Sequence, residues 1–262
     1  MENVSMEKES KTLATLDVKV LAEDAGDGLD NLTPDDLLIP SLKLVQKGSP
    51  AVDPTDSTYT DSVKVGDILN SVTNDSYDGD AGITVLPAAY RRIFLEYIPR
   101  EAGGGLAGIH EDPAILSQTH RDEMGRDILA SGNYIQTTAN HYVLLLNGIS
   151  TDDGLQTASG KYDPVMIAMY SSQLKKSRRW NSIMAGQRVT SNGKSITPAS
   201  YSHMYHLSTV PEKNSKGSWF GWRIELVGQV EDINLYRAAK EFARSIQSSQ
   251  SSELKGTSTA AF

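Results

Sequence analysis

Between Leu37 and Val230, glycines, prolines and Asn/Asp pairs cut the chain into eight or nine short runs of strand character, with only two or three helical runs among them. Strand follows strand more often than helix follows strand. A parallel sheet needs a crossover, usually a helix, between paired strands, so this order argues against a doubly wound α/β fold. It predicts a mainly β (α+β) chain, an antiparallel barrel or sandwich with inserted helices and disordered termini, of which an elaborated OB-like antiparallel barrel is one member.

The runs are specific. Leu38, Pro40, Leu42 and Leu44 alternate as on a strand, and Gly66 to Tyr77 reads as strand, turn, strand with Asn74-Asp75 as the turn. Ile83–Leu86 and Tyr90–Ile98 are two further runs, with Pro87 at a bend or an edge between them. Asp112 before Pro113 marks the start of a short polar helix running towards Arg121, and Tyr134 to Gly148 returns to strand. Val165–Met169 is a buried strand. Ser171 and Ser172 stand where a cap would precede a helix from about Gln173 to Gln187. Tyr201–Val210 and Trp219–Val230 give the strongest hairpin signal, and Asp232 caps a last helix whose apolar stripe runs from Leu235 to Ile246. The organisation expected is a flexible acidic arm over 1–34, a single β-rich domain over 35–247 and a flexible tail over 248–262.

Charge is distributed unevenly along this pattern. The net charge is -8, and Met1 to Asp80 holds seventeen Asp or Glu against six Lys. Pro164 to Pro211 holds no Asp or Glu, yet it carries Lys175, Lys176, Arg178, Arg179, Arg188 and Lys194, with Trp180 and tyrosines interleaved. Cations and aromatics confined to one stretch of an acidic chain suit a groove for a polyanion, nucleic acid first. The absence of cysteine excludes disulfides and thiolate metal sites, and no run approaches the roughly 20 apolar residues that span a bilayer. The cytoplasm is the expected compartment.

On a helix, Lys175, Arg178 and Arg179 cluster at spacings of three and four while Leu174 and Met184 turn to the core. Trp180 then borders the cationic face, where guanidinium and ammonium groups hold phosphates and a ring stacks on a base. A second cluster is Tyr90, Arg91, Arg92 and, further on, Arg100; on a strand Tyr90 and Arg92 share one face and Arg91 takes the other. In the third, Trp219-Phe220-Gly221-Trp222-Arg223, Trp219 and Phe220 cannot both turn inward, Trp219 is the candidate for stacking, and Trp222 is the core residue. The bland alternatives are a solvated helix face and an amphipathic strand with core aromatics. Catalytic signatures fail. Gly160-Lys161 and Gly193-Lys194-Ser195 lack the phosphate-loop spacing, His203 and His206 point to opposite faces, and the carboxylates around Asp152 and Asp153 read as a solvated loop. The expectation is a binding protein and not an enzyme, with no cofactor and no metal.

Ile39-Pro40-Ser41-Leu42-Lys43-Leu44-Val45-Gln46, Gly66-Asp67-Ile68-Leu69-Asn70, and Tyr97-Ile98-Pro99-Arg100 before Gly103-Gly104-Gly105 resemble a family of tailed-bacteriophage proteins described as DNA-binding or single-stranded DNA-binding. The resemblance spans roughly Leu37 to Val230. It implies a replication or recombination accessory that coats and protects single strands in the infected cell, on an OB-type barrel, with possible homo-oligomers. Such proteins often end in an acidic tail with a terminal aromatic that recruits replication proteins. Here Phe262 is terminal and Lys255 faces only Glu253, so the acidic tail is missing. Partner binding through Lys255 and Phe262 would also suit a regulator of host polymerase, the alternative function; a metal-dependent nuclease ranks third.

Overall fold

The computed structural model describes residues 27, 38–146, 150–151, 154–155, 162–215 and 217–258, with backbone alone at 150–151, 154–155 and 249–258. The expected acidic arm, Asp27 apart, and Phe262 lie outside these residues. The described residues from Ile39 onward make up one compact unit.

β1 (Leu42–Leu44), β2 (Ile68–Asn70) and β3 (Ser76–Tyr77) form a small antiparallel sheet. The main sheet follows with β4 (Ile83–Tyr97), β5 (Leu106–His110), β6 (Thr119–Arg121), β7 (Asp127–Leu129) and β8 (Tyr134–Leu145). After a hairpin of β9 (Ser150–Thr151) and β10 (Gly154–Leu155) come β11 (Asp163–Tyr170) and the helix α1 (Leu174–Gly186). A second small hairpin, β12 (Val189–Ser191) and β13 (Lys194–Ile196), leads to the long pair β14 (His203–Asn214) and β15 (Gly217–Gln229), and α2 (Ile233–Ser258) ends the fold. The strong hairpin signal is therefore real: Asn214 pairs with Gly217 across a two-residue turn.

β4 and β8 are long enough to serve two half-sheets. Near one end the order is β15-β14-β4-β8-β11, and near the other β5-β4-β8-β7-β6. Every pairing in this sheet is antiparallel, and the sheet curls into a half-barrel, so the mainly β, OB-like expectation holds. Ser41 bridges to Met166 and so attaches the small sheet beside β11. On the other side Gln46 exchanges two hydrogen bonds with the backbone of Phe220, at 2.9 and 2.8 Å, and Thr209 donates to the Gly66 carbonyl at 2.7 Å. The interior so enclosed is apolar: Leu42, Ile68, Val85, Val143, Ile167 and Leu207 meet Trp180 of α1 and Trp222 of β15.

Three local outcomes differ from expectation. Pro87 does not divide two strands; β4 runs through it, and the register shifts between Pro87 and Ala89, a bulge that absorbs the missing N–H. The Asp112 start is correct, with Oδ1 accepting from the Ala114 N–H at 2.8 Å, but the segment it opens is a 3-10 turn over Pro113–Gln118. Ser171 and Ser172 do not cap α1; they lie in a 3-10 turn ahead of it. Asp232 does cap α2, accepting from the Asn234 N–H at 2.7 Å, and Leu235, Ala238 and Phe242 pack on Leu86 and Leu144 on the outer face of the sheet. The helical backbone continues to Ser258 instead of ending near Gln247. Among the described residues no helix is long and apolar enough to cross a membrane.

Candidate functional site

α1 lies across one end of the apolar interior and turns Leu174, Ser177, Trp180, Ile183 and Met184 inward. The spacing 177, 180, 184 keeps those side chains on one stripe, which leaves Lys175, Arg178 and Arg179 on the outer surface. No described carboxylate pairs with any of the three. Arg178 makes only a long contact to the Leu174 carbonyl, 3.3 Å from its Nε. Past the helix end, Arg188 Nη1 donates to the carbonyls of Ala185 and Gln187, both at 2.7 Å, so this cation closes the helix C-terminus and completes the ridge at that end.

Two expectations for this stretch are corrected. Trp180 has no exposed surface; it stacks on His141 with ring centroids 4.5 Å apart and meets Tyr205 edge-on at 5.7 Å. It cannot stack on a base, because its stripe is the one that carries Leu174 and Met184 into the core. Lys176 is not unpaired. Glu212, the first acid beyond the acid-free stretch, meets its Nζ at 2.6 Å. The same carboxylate accepts from Trp219 Nε1 at 2.8 Å and from Gln173 Nε2 at 3.3 Å. Partial burial works against its charge, but the hydrogen bonds from Lys176, Trp219 and Gln173 and the Lys176 charge outweigh it and hold the Glu212 carboxyl below its usual range. Gly221 makes room for this cluster: a Cβ there would stand 2.6 Å from Glu212 Oε2 and 2.7 Å from Gln173 Nε2. Trp219 is thus brought beside the ridge, half-buried and oriented by Glu212, while Trp222 is core as expected.

His141 connects the ridge to the strand cluster. Its Nε2 is 2.8 Å from the buried Ser177 hydroxyl, and its ring lies 5.0 Å from that of Tyr90. Burial pushes its pKa down to about 3, so the imidazole is neutral. Tyr90, 38% exposed, and the exposed Arg92 therefore lie on the sheet face that α1 covers, beyond the helix. Arg91 leaves the site. Strand alternation sends it to the face of α2, where it donates to the Ile246 carbonyl and pairs with Glu111 at 3.8 Å. Arg100 sits in a 3-10 turn past the end of β4, and no described bond joins it to the ridge. Lys255 lies where only the backbone is described.

Between α1 and β15 runs a groove of about 290 Å³, bordered by Lys176 and Arg179 on the helix and by Arg223, Ile224 and Glu225 on the strand. The sequence reading named Arg223 only as the end of the aromatic cluster and missed Glu225, because both lie outside the acid-free stretch and reach the site only through the hairpin register.

The fold and this site together define a mainly β protein, a curled antiparallel half-barrel with a cation-bearing helix laid across one end. The chain belongs to a bacteriophage family, the Pam3 phage gp34-like proteins, whose model matches residues 8–252. No curated protein and no solved structure matches the chain.

Proposed function

We propose that the protein binds single-stranded DNA stoichiometrically, coating and protecting strands during phage replication or recombination in the host cytoplasm, without catalysing a reaction. The observation that carries this reading is the α1 ridge. Lys175, Arg178 and Arg179 stand on one exposed helix face with no described carboxylate against them, in a chain of net charge -8. A solvated surface helix in an acidic protein ordinarily mixes both signs, whereas a ridge of one sign holds phosphates. Aromatics flank it, the exposed Tyr90 beyond one side and the half-buried Trp219 at the Glu212 cluster, and stacking on such rings contributes about 1–3 kcal/mol per base with little sequence preference. The curled antiparallel sheet is of the kind on which OB-type proteins bind single strands.

A fluorescent dT oligonucleotide and a duplex of the same length, titrated with the protein, test the reading. Tighter binding of the single strand, lost in Lys175→Gln/Arg178→Gln/Arg179→Gln, supports it. Equal failure of wild type and triple variant to bind either would end it, and would favour a protein-docking role for the ridge.

A further inference from the structure

We propose that the outer edge of β15 joins a second copy of this chain, strand to strand and antiparallel, about a two-fold axis through Ile224. This goes beyond the proposed function and does not depend on it. β15 is the last strand of its half-sheet, so one side of its backbone has no strand beside it. Gln173 shows which groups point that way. Its side chain accepts from the Trp222 N–H at 2.9 Å, so Trp222 turns its N–H away from β14. Pairing with β14 is regular from Trp222 through Leu226, so Ile224 and Leu226 turn their N–H and C=O groups outward as well. No described bond engages those four groups. Earlier along β15 the same edge is covered, because Gln46 exchanges two hydrogen bonds with Phe220 as a neighbouring strand would. Beyond Leu226 a bulge leaves Val227 without a β14 partner, so the open stretch runs from Arg223 to Leu226. It carries no lysine and no proline, residues that commonly keep an exposed edge from pairing. The groove between this edge and α1 leaves room beside it.

An open edge alone names no partner. The sequence Trp222-Arg223-Ile224-Glu225-Leu226 does, because it complements itself in the antiparallel direction. With Ile224 opposite the partner's Ile224, each N–H donates to the other's C=O. Arg223 then lies opposite the partner's Glu225, and Glu225 opposite the partner's Arg223. These are non-hydrogen-bonded positions, where Cα atoms approach to about 4.5 Å and opposite charges stabilise the pair. Both side chains are more than half exposed and already meet at 2.8 Å within one chain, so the dimer closes a ring of four alternating charges. On the other face Leu226, 44% exposed, comes beside the partner's Trp222 and is covered. The Leu226 N–H reaches the partner's Trp222 C=O, while the Trp222 N–H stays with Gln173. A slip of two residues sets Arg223 opposite the partner's Arg223, or in the other direction Glu225 opposite the partner's Glu225, so charge fixes the register.

Sedimentation equilibrium of the full chain at low salt, over a range of concentrations and without nucleic acid, tests the pairing. The wild type should pass from monomer to dimer. Arg223→Glu and Glu225→Arg should each weaken the dimer at least about tenfold, since by symmetry each change sets like charges opposite one another twice. Mixed together, the two variants should associate, because the glutamates of one meet the arginines of the other. Arg223→Glu/Glu225→Arg in a single chain should dimerise as the wild type does. Circular dichroism checks that each variant is folded, as expected for changes at exposed side chains. A wild type that stays monomeric overturns the proposal. A dimer that both single changes leave intact overturns the β15 edge as its interface, and a mixture that fails to associate overturns the pairing about Ile224.

Discussion

At the scale of the residue, the aromatic stack beneath α1 decides what each side chain is for. Trp180 and Trp219 have the same chemistry and opposite surroundings, so Trp180→Ala should cost about 3–5 kcal/mol in unfolding free energy while Trp219→Ala costs about 1 kcal/mol. Chemical denaturation of the two variants checks this. Trp219→Ala should weaken oligonucleotide binding without unfolding the chain. His141 is neutral in the fold, its pKa pushed from 6.5 to about 3 by burial, whereas the unfolded chain takes up a proton near 6.5. Its contribution to stability is therefore complete above about pH 6.5 and is lost as pH falls towards 3. His141→Gln, which cannot be protonated, should flatten the fall in melting temperature between about pH 7 and pH 5, a window above most carboxylates. An unchanged slope would show that His141 is not the titrating group. At Gly221, alanine would push Glu212 and Gln173 away from their positions, releasing Lys176 and loosening α1. The burial of Trp180 was legible in principle, since it lies four residues before Met184 on the stripe already assigned to the core. The Lys176–Glu212 pair was not, because it joins positions that only the hairpin brings together.

At the scale of the element, strands were read well and their junctions poorly. The short apolar run Val165–Met169 and the β14–β15 hairpin follow from local sequence, and the Asp232 cap from a local hydrogen bond. Pro87 misled because its missing N–H is absorbed by a bulge, a device that depends on the β8 neighbour across from it. Ser171 and Ser172 misled because the entry to α1 is set instead by Gln173, whose side chain bonds Trp222 and Glu212 on another element. The α1 ridge carries the element-level prediction. Replacing Lys175, Arg178 and Arg179 with glutamine should leave the fold intact, since all three side chains are outside the core. It should reduce the slope of log affinity against log salt by about 2, because each phosphate that a cation no longer neutralises takes about 0.7 from that slope.

At the scale of the whole molecule, a strongly acidic chain carries a cationic ridge on α1, and the proposed function extends to the acidic segment over 1–32, whose charge would compete with a strand for that ridge. Deleting that segment should raise oligonucleotide affinity at low salt and leave it unchanged at high salt, where exposed charges are screened. Equal affinity at low salt would remove the competitor from the account. The candidate surface was only half legible in the sequence: the charge pattern picked out α1, but Arg223 and Glu225 on the other wall of the groove reach it only through the packing of β15 beside the helix. The most direct test of the central claim is the salt dependence of dT-oligonucleotide affinity in wild type and in the Lys175/Arg178/Arg179 triple variant. Affinity in the wild type should fall steeply with salt, and the triple variant should bind weakly with a much flatter dependence. Binding of equal strength and equal salt slope in the two proteins would contradict the assignment of the α1 ridge as the phosphate-holding surface.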